Sequence, residues 1–422
     1  MGLRAAYAFF FLRFTDLHQI LTAMTGFNNY LLYLFGIPAV LGVLLSGGIQ
    51  RAFRLRSSRY LLAFVILMSV ASVFSTWIGG SIPFTLAYLR TSFPCFLLLA
   101  GLIMTWKEYW RMLQVIAFSA AVNVVIARTM GKLFGQQGRM GIEIGTNSNP
   151  NDFAAVLILL LPFLGLFLFA PKQRTIVRLL ALAFLLASSY LVLASGSRGA
   201  LLGMSVATVF TIFKLPARLK VLAVLSALAA CLIIAAALPT AVGKRLVSFG
   251  AGSDTGAQQF NSDSDIGAQE SWENRKQLLE KSLLYTIEHP LLGVGPDQFP
   301  NYEGKRVQEE TGHIGQWHET HNSYTQISSE NGIPAVVFFL MALGYSYFAI
   351  RRVYRLTKKS RNGDTELKKL NLAAFCLLVS MVGFCVTITF NNFGYQFFIP
   401  AFVGLAVVMT EVTEREFRKR WV

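Results

Sequence analysis

DFAAVLILLLPFLGLFLFA, residues 152 to 170, decides the fold class. After the opening aspartate it holds no charge, and a helix of this length, rising about 1.5 Å per residue, crosses the ~30 Å hydrocarbon core of a bilayer. A helix in a soluble core keeps a polar stripe, whereas this run is apolar on every face. Comparable runs lie at 27–46, 59–78, 83–105, 108–127, 175–194, 199–214, 218–240, 332–350, 370–390 and 394–412. Of 422 residues 54% are hydrophobic and 14% charged, so the expected class is an all-α integral membrane protein.

The connections on either side of the quoted run differ in charge. Residues 172–178 carry three cations, 51–59 four, 214–220 three, 351–369 eight, and the tail after 413 four. The connections at 79–82 and 391–393 carry none, and 195–198 has Arg198 alone. Cations concentrate on cytoplasmic loops, so the first set is read as cytoplasmic and the second, with the long loop 241–331, as exoplasmic. The net charge of +16 is thereby a topology signal and does not point to nucleic acid. Eleven runs ending inside would start outside, and AAYAFFFL at 5–12 supplies a short further span. The expectation is about 12 transmembrane helices with both ends inside and one large exoplasmic loop. The alternative for residues 3–20 is an interfacial helix, because Arg13 and Asp16 interrupt the run. No small-residue cleavage site follows it. The chain divides into an N-terminal transmembrane bundle at 1–240, a loop with short helices at 241–331, and C-terminal transmembrane helices at 332–422. Cys95, Cys231, Cys376 and Cys385 fall within apolar runs without metal-type spacing and read as packing residues.

Polar side chains gather in three exoplasmic segments: QQGRMGIEIGTNSNPND at 136–152, SGSRGA at 195–200, and the loop 241–331. Within the loop, residues 248–269 are rich in Gly, Ser, Asp and Gln and read as flexible. They contain Asp263-Ser264-Asp265, a weak match to metal-dependent sugar-nucleotide enzymes on the wrong side of the membrane. In SWENRKQLLEKSLLYTIEHPLLGVG, Trp272, Leu279, Leu283 and Ile287 recur at helical spacing and Ser271 is a candidate N-cap. Arg275 then sits in the first turn, where free backbone N–H groups favour an anion. The plainer reading is a solvated surface arginine. Gly293-Val294-Gly295 follows a helix and is a turn, not a dinucleotide loop.

Arg198 stands where charge topology gives no reason for an arginine, beside Gly196, Ser197 and Gly199, which let a ligand approach the backbone; the alternative is a snorkelling anchor. Arg90, within LAYLRTSF, is an intramembrane cation that either serves function or satisfies a buried carbonyl or carboxylate. Arg139 and Lys132 are lesser candidates. Arginines converging on one cavity suit a diphosphate, since their planar forks match its oxygens. In HETHNSYTQISSENGIPA, residues 318–335, His321 precedes an apolar run and is placed to accept a proton near neutral pH. The spacing of His313, His318 and His321 fits no zinc signature, so neither a metal nor another cofactor is expected.

These residues resemble the O-antigen ligase and polymerase superfamily of bacterial membrane glycosyltransferases. The likeness extends over nearly the whole chain: the spans, the large loop, SGSRGA, the arginine followed by HPLLGVGPDQF, and His321-Asn322 followed by nine residues and Gly332. The ligase pattern H-[NSQ]-x9-G-x-x-[GTY] is met except at its last position, Ala335, which keeps the polymerase relatives open. The resemblance implies a glycan donor on undecaprenyl diphosphate and an inverting, metal-independent displacement in the inner membrane, with the active site facing the periplasm. It maps the two essential arginines to Arg198 and Arg275, with Arg139 and Arg90 as further diphosphate candidates, and the essential histidine to His321. Asn322, Ser323, Thr325, Gln326 and His318 are then candidates for sugar contacts. The acceptor implied for a ligase is the lipid A core; for a polymerase it is another lipid-linked repeat. A transporter of lipid-linked sugars is the reading from another class, but polar groups here lie at one face rather than at the midplane of repeated halves.

Overall fold

The computed structural model describes residues 1–134, 138–145, 149–247, 263–313, 318–360 and 364–421. They are almost wholly helical. In chain order the helices are α1 Gly2–Thr15, α2 Leu17–Thr25, α3 Leu31–Leu45, α4 Gly48–Ala52, α5 Arg56–Val73, α6 Ile78–Thr91, α7 Phe93–Leu102 and α8 Trp106–Met130. There follow α9 Pro150–Leu160, α10 Leu164–Phe169, α11 Thr175–Ala194, α12 Arg198–Lys214, α13 Ala217–Ala237, α14 Thr240–Val247 and α15 Asp263–Glu288. The last are α16 Phe299–Thr311, α17 Ser323–Ser360, α18 Thr365–Thr387 and α19 Phe398–Trp421. A short hairpin of β1 Lys132–Phe134 and β2 Arg139–Gly141 links α8 to α9. The eleven apolar runs are mostly helical, with 83–105 divided between α6 and α7 and 152–170 between α9 and α10, and seven helical stretches among the described residues are long and apolar enough to cross a membrane.

Local sequence explains where helices begin. Thr105 and Glu108 form a reciprocal capping box at the start of α8. Asn149 accepts from the Asn151 and Asp152 amides while Pro150 occupies the first turn of α9. Asp364 caps α18 in the same way. The expectation for residues 248–269 is corrected in part: 248–262 lie outside the described residues, but from Asp263 the chain is helical. Ser271 is therefore inside α15 and not its N-cap. A serine caps a helix only where the chain before it leaves helical geometry, and here it does not.

Packing pairs α17 with α5, α1 with α3, α12 with α18 and α19 with α7. The first helix buries Phe10 and Phe14 completely or nearly so, and Asn123 of α8 donates to the Phe14 carbonyl at 2.8 Å. Glycines allow the closest approaches. A Cβ on Gly199 would stand 2.6 Å from the Phe390 Cβ, and one on Gly203 would stand 2.1 Å from the Thr387 hydroxyl. The small residues after SGSR thus bring α12 against α18, a use other than the ligand approach expected of Gly199. Between apolar helices in lipid, such close packing supplies association that water-driven burial does not.

The bundle has two chemically distinct ends. At one, Arg54 and Arg415 reach Glu411, Trp106 donates to Glu366 at 2.8 Å, and Lys369 pairs with Glu366. At the other lie the N-terminus of α9, the α11–α12 turn, the C-terminal end of α18 and the start of α17. Asn391 joins two of these by donating to the Asn151 carbonyl at 3.0 Å.

Helix α17 is broken at Gly332, whose φ of 83° and ψ of 173° leave helical space. Such a break frees backbone groups that need partners. The HPLLGVG segment supplies them. The Val294 and Gly295 amides donate to the Ser329 and Glu330 carbonyls at 2.9 and 3.0 Å, and the Ile333 amide donates to the Pro290 carbonyl at 2.7 Å. Two sequence features that look separate, the HPLLGVG run and the glycine following His321-Asn322, form one interlocked joint.

Candidate active site

Above that joint, four segments remote in sequence bring charged side chains together. The start of α9 presents Asp152, whose carboxylate accepts from Asn149 Nδ2 at 2.5 Å. The α11–α12 turn presents Arg198 as the first residue of α12, with Ser197 as N-cap and Gly196 at φ 62° reversing the chain. Helix α15 presents Arg275, partly buried and electrostatically coupled to both Arg198 and Asp152. The segment before α17 presents His321, coupled to Arg275, Glu319 and His318.

Arg275 lies inside α15, twelve residues past Asp263, which corrects its expected place in the first turn. Its position owes nothing to free N–H groups. The face it shares is set by Leu278, Ser282, Tyr285 and Thr286, all buried, against α17. Leu279, Leu283 and Ile287, which recur at helical spacing as the sequence indicates, are exposed on this helix. Helix α16 is held to α15 by a buried Glu303 that accepts from both Lys281 and Tyr285.

His321 adopts φ 50°, a left-handed conformation uncommon for a residue with a side chain. Its neighbours hold it there. Asn322 is the cap of α17, its side-chain oxygen accepting from the Tyr324 and Thr325 amides at 2.9 and 3.2 Å. Ser323 is buried, donating to the Asn391 carbonyl at 2.6 Å and accepting from the Phe393 amide at 2.8 Å. Asn392 donates to Glu319 at 2.5 Å and accepts from Thr320 at 2.9 Å. The loop 391–397 is itself fixed by edge-to-face and tilted ring contacts among Phe384, Phe393 and Phe398. Backbone strain of this kind persists only where surroundings over-determine it.

Electrostatics follow from the crowding. Burial and the nearby Arg198 lower the pKa of Arg275, with Asp152 opposing them. Burial lowers that of Arg198. For His321, burial acts first and Arg275 second, both favouring the neutral imidazole, while Glu319 works against them. A neutral imidazole is the form that accepts a proton. Guanidiniums gathered at one end of the bundle suit a multivalent anion, whose oxygens match their planar forks.

Not every expected residue joins this cluster. Arg90 is exposed in the last turn of α6, twelve residues or roughly 18 Å of helix beyond Ile78, the end of α6 nearest the joint. Arg139 is adjacent but acts as a brace, donating to the Ser195 carbonyl at 2.8 Å and to Asn151 at 2.7 Å. Lys132 pairs with Glu143. Gln326 and Thr325 are buried in α17, and His318 is exposed. Asp152, Glu319 and Asn392 were not singled out from sequence. The Glu in HETH stood two residues from His321, and NPND sat in a polar loop already noted, but no local pattern said that the two would meet.

Residues 180–340 match the family profile described as O-antigen ligase. Over this segment the chain is similar to the O-antigen ligase family. The matched segment contains Arg198, Arg275 and His321 together. Among curated proteins none matches the chain at a significant level. The match supports an O-antigen ligase or polymerase type of membrane glycosyltransferase.

Proposed function

We propose that the protein transfers a glycan from undecaprenyl diphosphate to a sugar hydroxyl, as an O-antigen ligase acting on the lipid A core. Arg198 and Arg275 bind the diphosphate and stabilise it as it departs. His321 takes the proton of the acceptor hydroxyl, whose oxygen attacks the anomeric carbon from the side opposite the diphosphate, inverting its configuration. The two needs of this reaction, a stronger nucleophile and a stabilised leaving group, are met by these side chains alone, without a metal. The observation that carries the reading is a chain of hydrogen bonds bringing the cap of α17 beside His321 to the α11–α12 turn beside Arg198: Ser323 to the Asn391 carbonyl, Asn391 to the Asn151 carbonyl, and Arg139 to both Asn151 and the Ser195 carbonyl.

The accompanying topology is about twelve spans in the bacterial inner membrane, with both termini and 351–369 cytoplasmic. Residues 241–331 form a periplasmic unit between the bundles 1–240 and 332–422, and the site faces the periplasm. The burial of α1 against α3 and α8 supports counting it as a span. Polymerisation of lipid-linked repeats is the second reading, favoured by Ala335 at the last position of the ligase pattern; yet Ala335 is fully buried, which makes the departure a matter of packing rather than of acceptor contact.

The test is transfer in membranes with purified lipid-linked donor and each acceptor class in turn. General-base removal typically costs roughly 100- to 10,000-fold, so His321→Ala loses transfer to that extent while donor binding survives. His318→Ala, exposed and outside the cap, retains most activity. Normal transfer by His321→Ala at normal protein level removes the histidine from the mechanism.

A further inference from the structure

Helix α15 has one face too many. Its buried face, at Leu278, Ser282 and Tyr285, meets the rest of the protein, yet Leu279, Leu283, Leu284 and Ile287 form an exposed apolar edge that Leu291 continues past the helix end. Ile287 is 74% and Leu291 70% exposed. Apolar surface of this extent on a helix outside the apolar spans requires a partner.

Where the edge lies names that partner. Thr76, just past the end of the membrane-spanning α5, donates from both its amide and its hydroxyl to the Val294 carbonyl at 3.0 and 2.8 Å. The Ile333 amide bonds to Pro290 at 2.7 Å. The C-terminal end of α15 is therefore pinned at the level where α5 and the long arm of α17 leave the apolar layer. Phe74, Trp77 and Ile333 are exposed at that level, and a tryptophan at the end of a span is the usual mark of the headgroup region. Further back along the same edge, Lys276 and Glu280 are exposed and pair with each other, which marks where the edge re-enters water.

We propose that the C-terminal half of α15 lies in the lipid interface, with Leu283, Ile287 and Leu291 immersed at the boundary of headgroups and acyl chains. The membrane surface, continuous with the lipid-facing sides of α5 and α17, covers this edge. The lipid contact does not depend on the functional reading above.

The test is spin labelling of the full chain in liposomes, on a background in which Cys231 and Cys385 are replaced by alanine. Nitroxides at Leu283→Cys and Ile287→Cys are compared with Leu222→Cys, on the exposed side of α13, and with Glu288→Cys. Collision with oxygen should exceed collision with a water-soluble nickel chelate several-fold at 283 and 287, as at 222, with the order reversed at 288. Water-like behaviour at 283 and 287 overturns the proposal. So does protection from both reagents, which would mean that a second protein surface, such as another copy, covers the edge. None of these outcomes depends on glycan transfer.

Discussion

Gly332 and Leu291 meet so closely that no side chain fits between them: a Cβ on Gly332 would stand 2.3 Å from the Leu291 carbonyl oxygen. The glycine that follows His321-Asn322 in the family pattern is thus explained by a joint between backbones. Gly332→Ala meets the clash as well as backbone strain of about 1–3 kcal/mol at φ 83° and ψ 173°, a region open essentially to glycine. We expect a clear fall in melting temperature in detergent, with transfer reduced because the arm carrying His321 is displaced. An unchanged melting temperature would show that the joint relaxes around a methyl group.

Glu330 closes the same joint from its side chain. It is fully buried, accepts from the Asp297 and Phe299 amides at 3.0 and 3.4 Å, and accepts the Tyr395 hydroxyl at 2.6 Å. Glu330→Ala leaves three donors without their acceptor, each worth about 1–3 kcal/mol when buried and unsatisfied. Glu330→Gln keeps one acceptor oxygen and should fall between wild type and alanine. Thermal unfolding and proteolysis of the 290–299 segment read this directly; equal stability of all three proteins would remove Glu330 from the joint.

The apolar helices were legible because bilayer-length hydropathy is a local property, carried by each run without reference to its neighbours. His321 and Arg198 were legible because each is a polar residue out of place beside a span. The place of Arg275 within its helix is hidden in the sequence, since nothing in the Gly- and Ser-rich stretch before Ser271 shows that α15 begins at Asp263. Asp152, Glu319 and Asn392 were not found, because what makes them part of the site is contact across 70 or more residues, as between Asn392 and Glu319. Asn322 and Ser323 looked like sugar ligands, whereas the structure engages them in capping α17 and in bracing the loop 391–397.

The arginine pair predicts a graded response to charge-conserving change. Lysine keeps the charge of Arg198 or Arg275 but presents a point donor in place of a planar fork. Arg198→Lys should lose transfer strongly and Arg275→Lys less so, with the losses larger at low donor concentration because the contact begins in the bound donor. Near-normal transfer by both variants would remove the clamp from the mechanism.

The pH dependence of transfer tests His321 through its neighbours. Its pKa lies below the ordinary 6.5 because burial and Arg275 disfavour the imidazolium, with Glu319 opposing them. A general base works when neutral, so the acid limb of the rate should fall below pH 6.5. Replacing Arg275 by glutamine removes a repulsive cation; the pKa rises and the limb moves to higher pH. Replacing Glu319 by glutamine removes a carboxylate that stabilised the imidazolium; the pKa falls and the limb moves to lower pH. Measured at saturating donor, where weakened diphosphate binding by the Arg275 variant no longer limits the rate, the two limbs should separate in opposite directions from wild type. A purely structural role for Glu319, bracing Asn392 and the loop beyond it, would lower the rate at every pH without moving the limb. Opposite displacements therefore identify His321 as the titrating group, and displacement of both limbs the same way would assign the titration elsewhere.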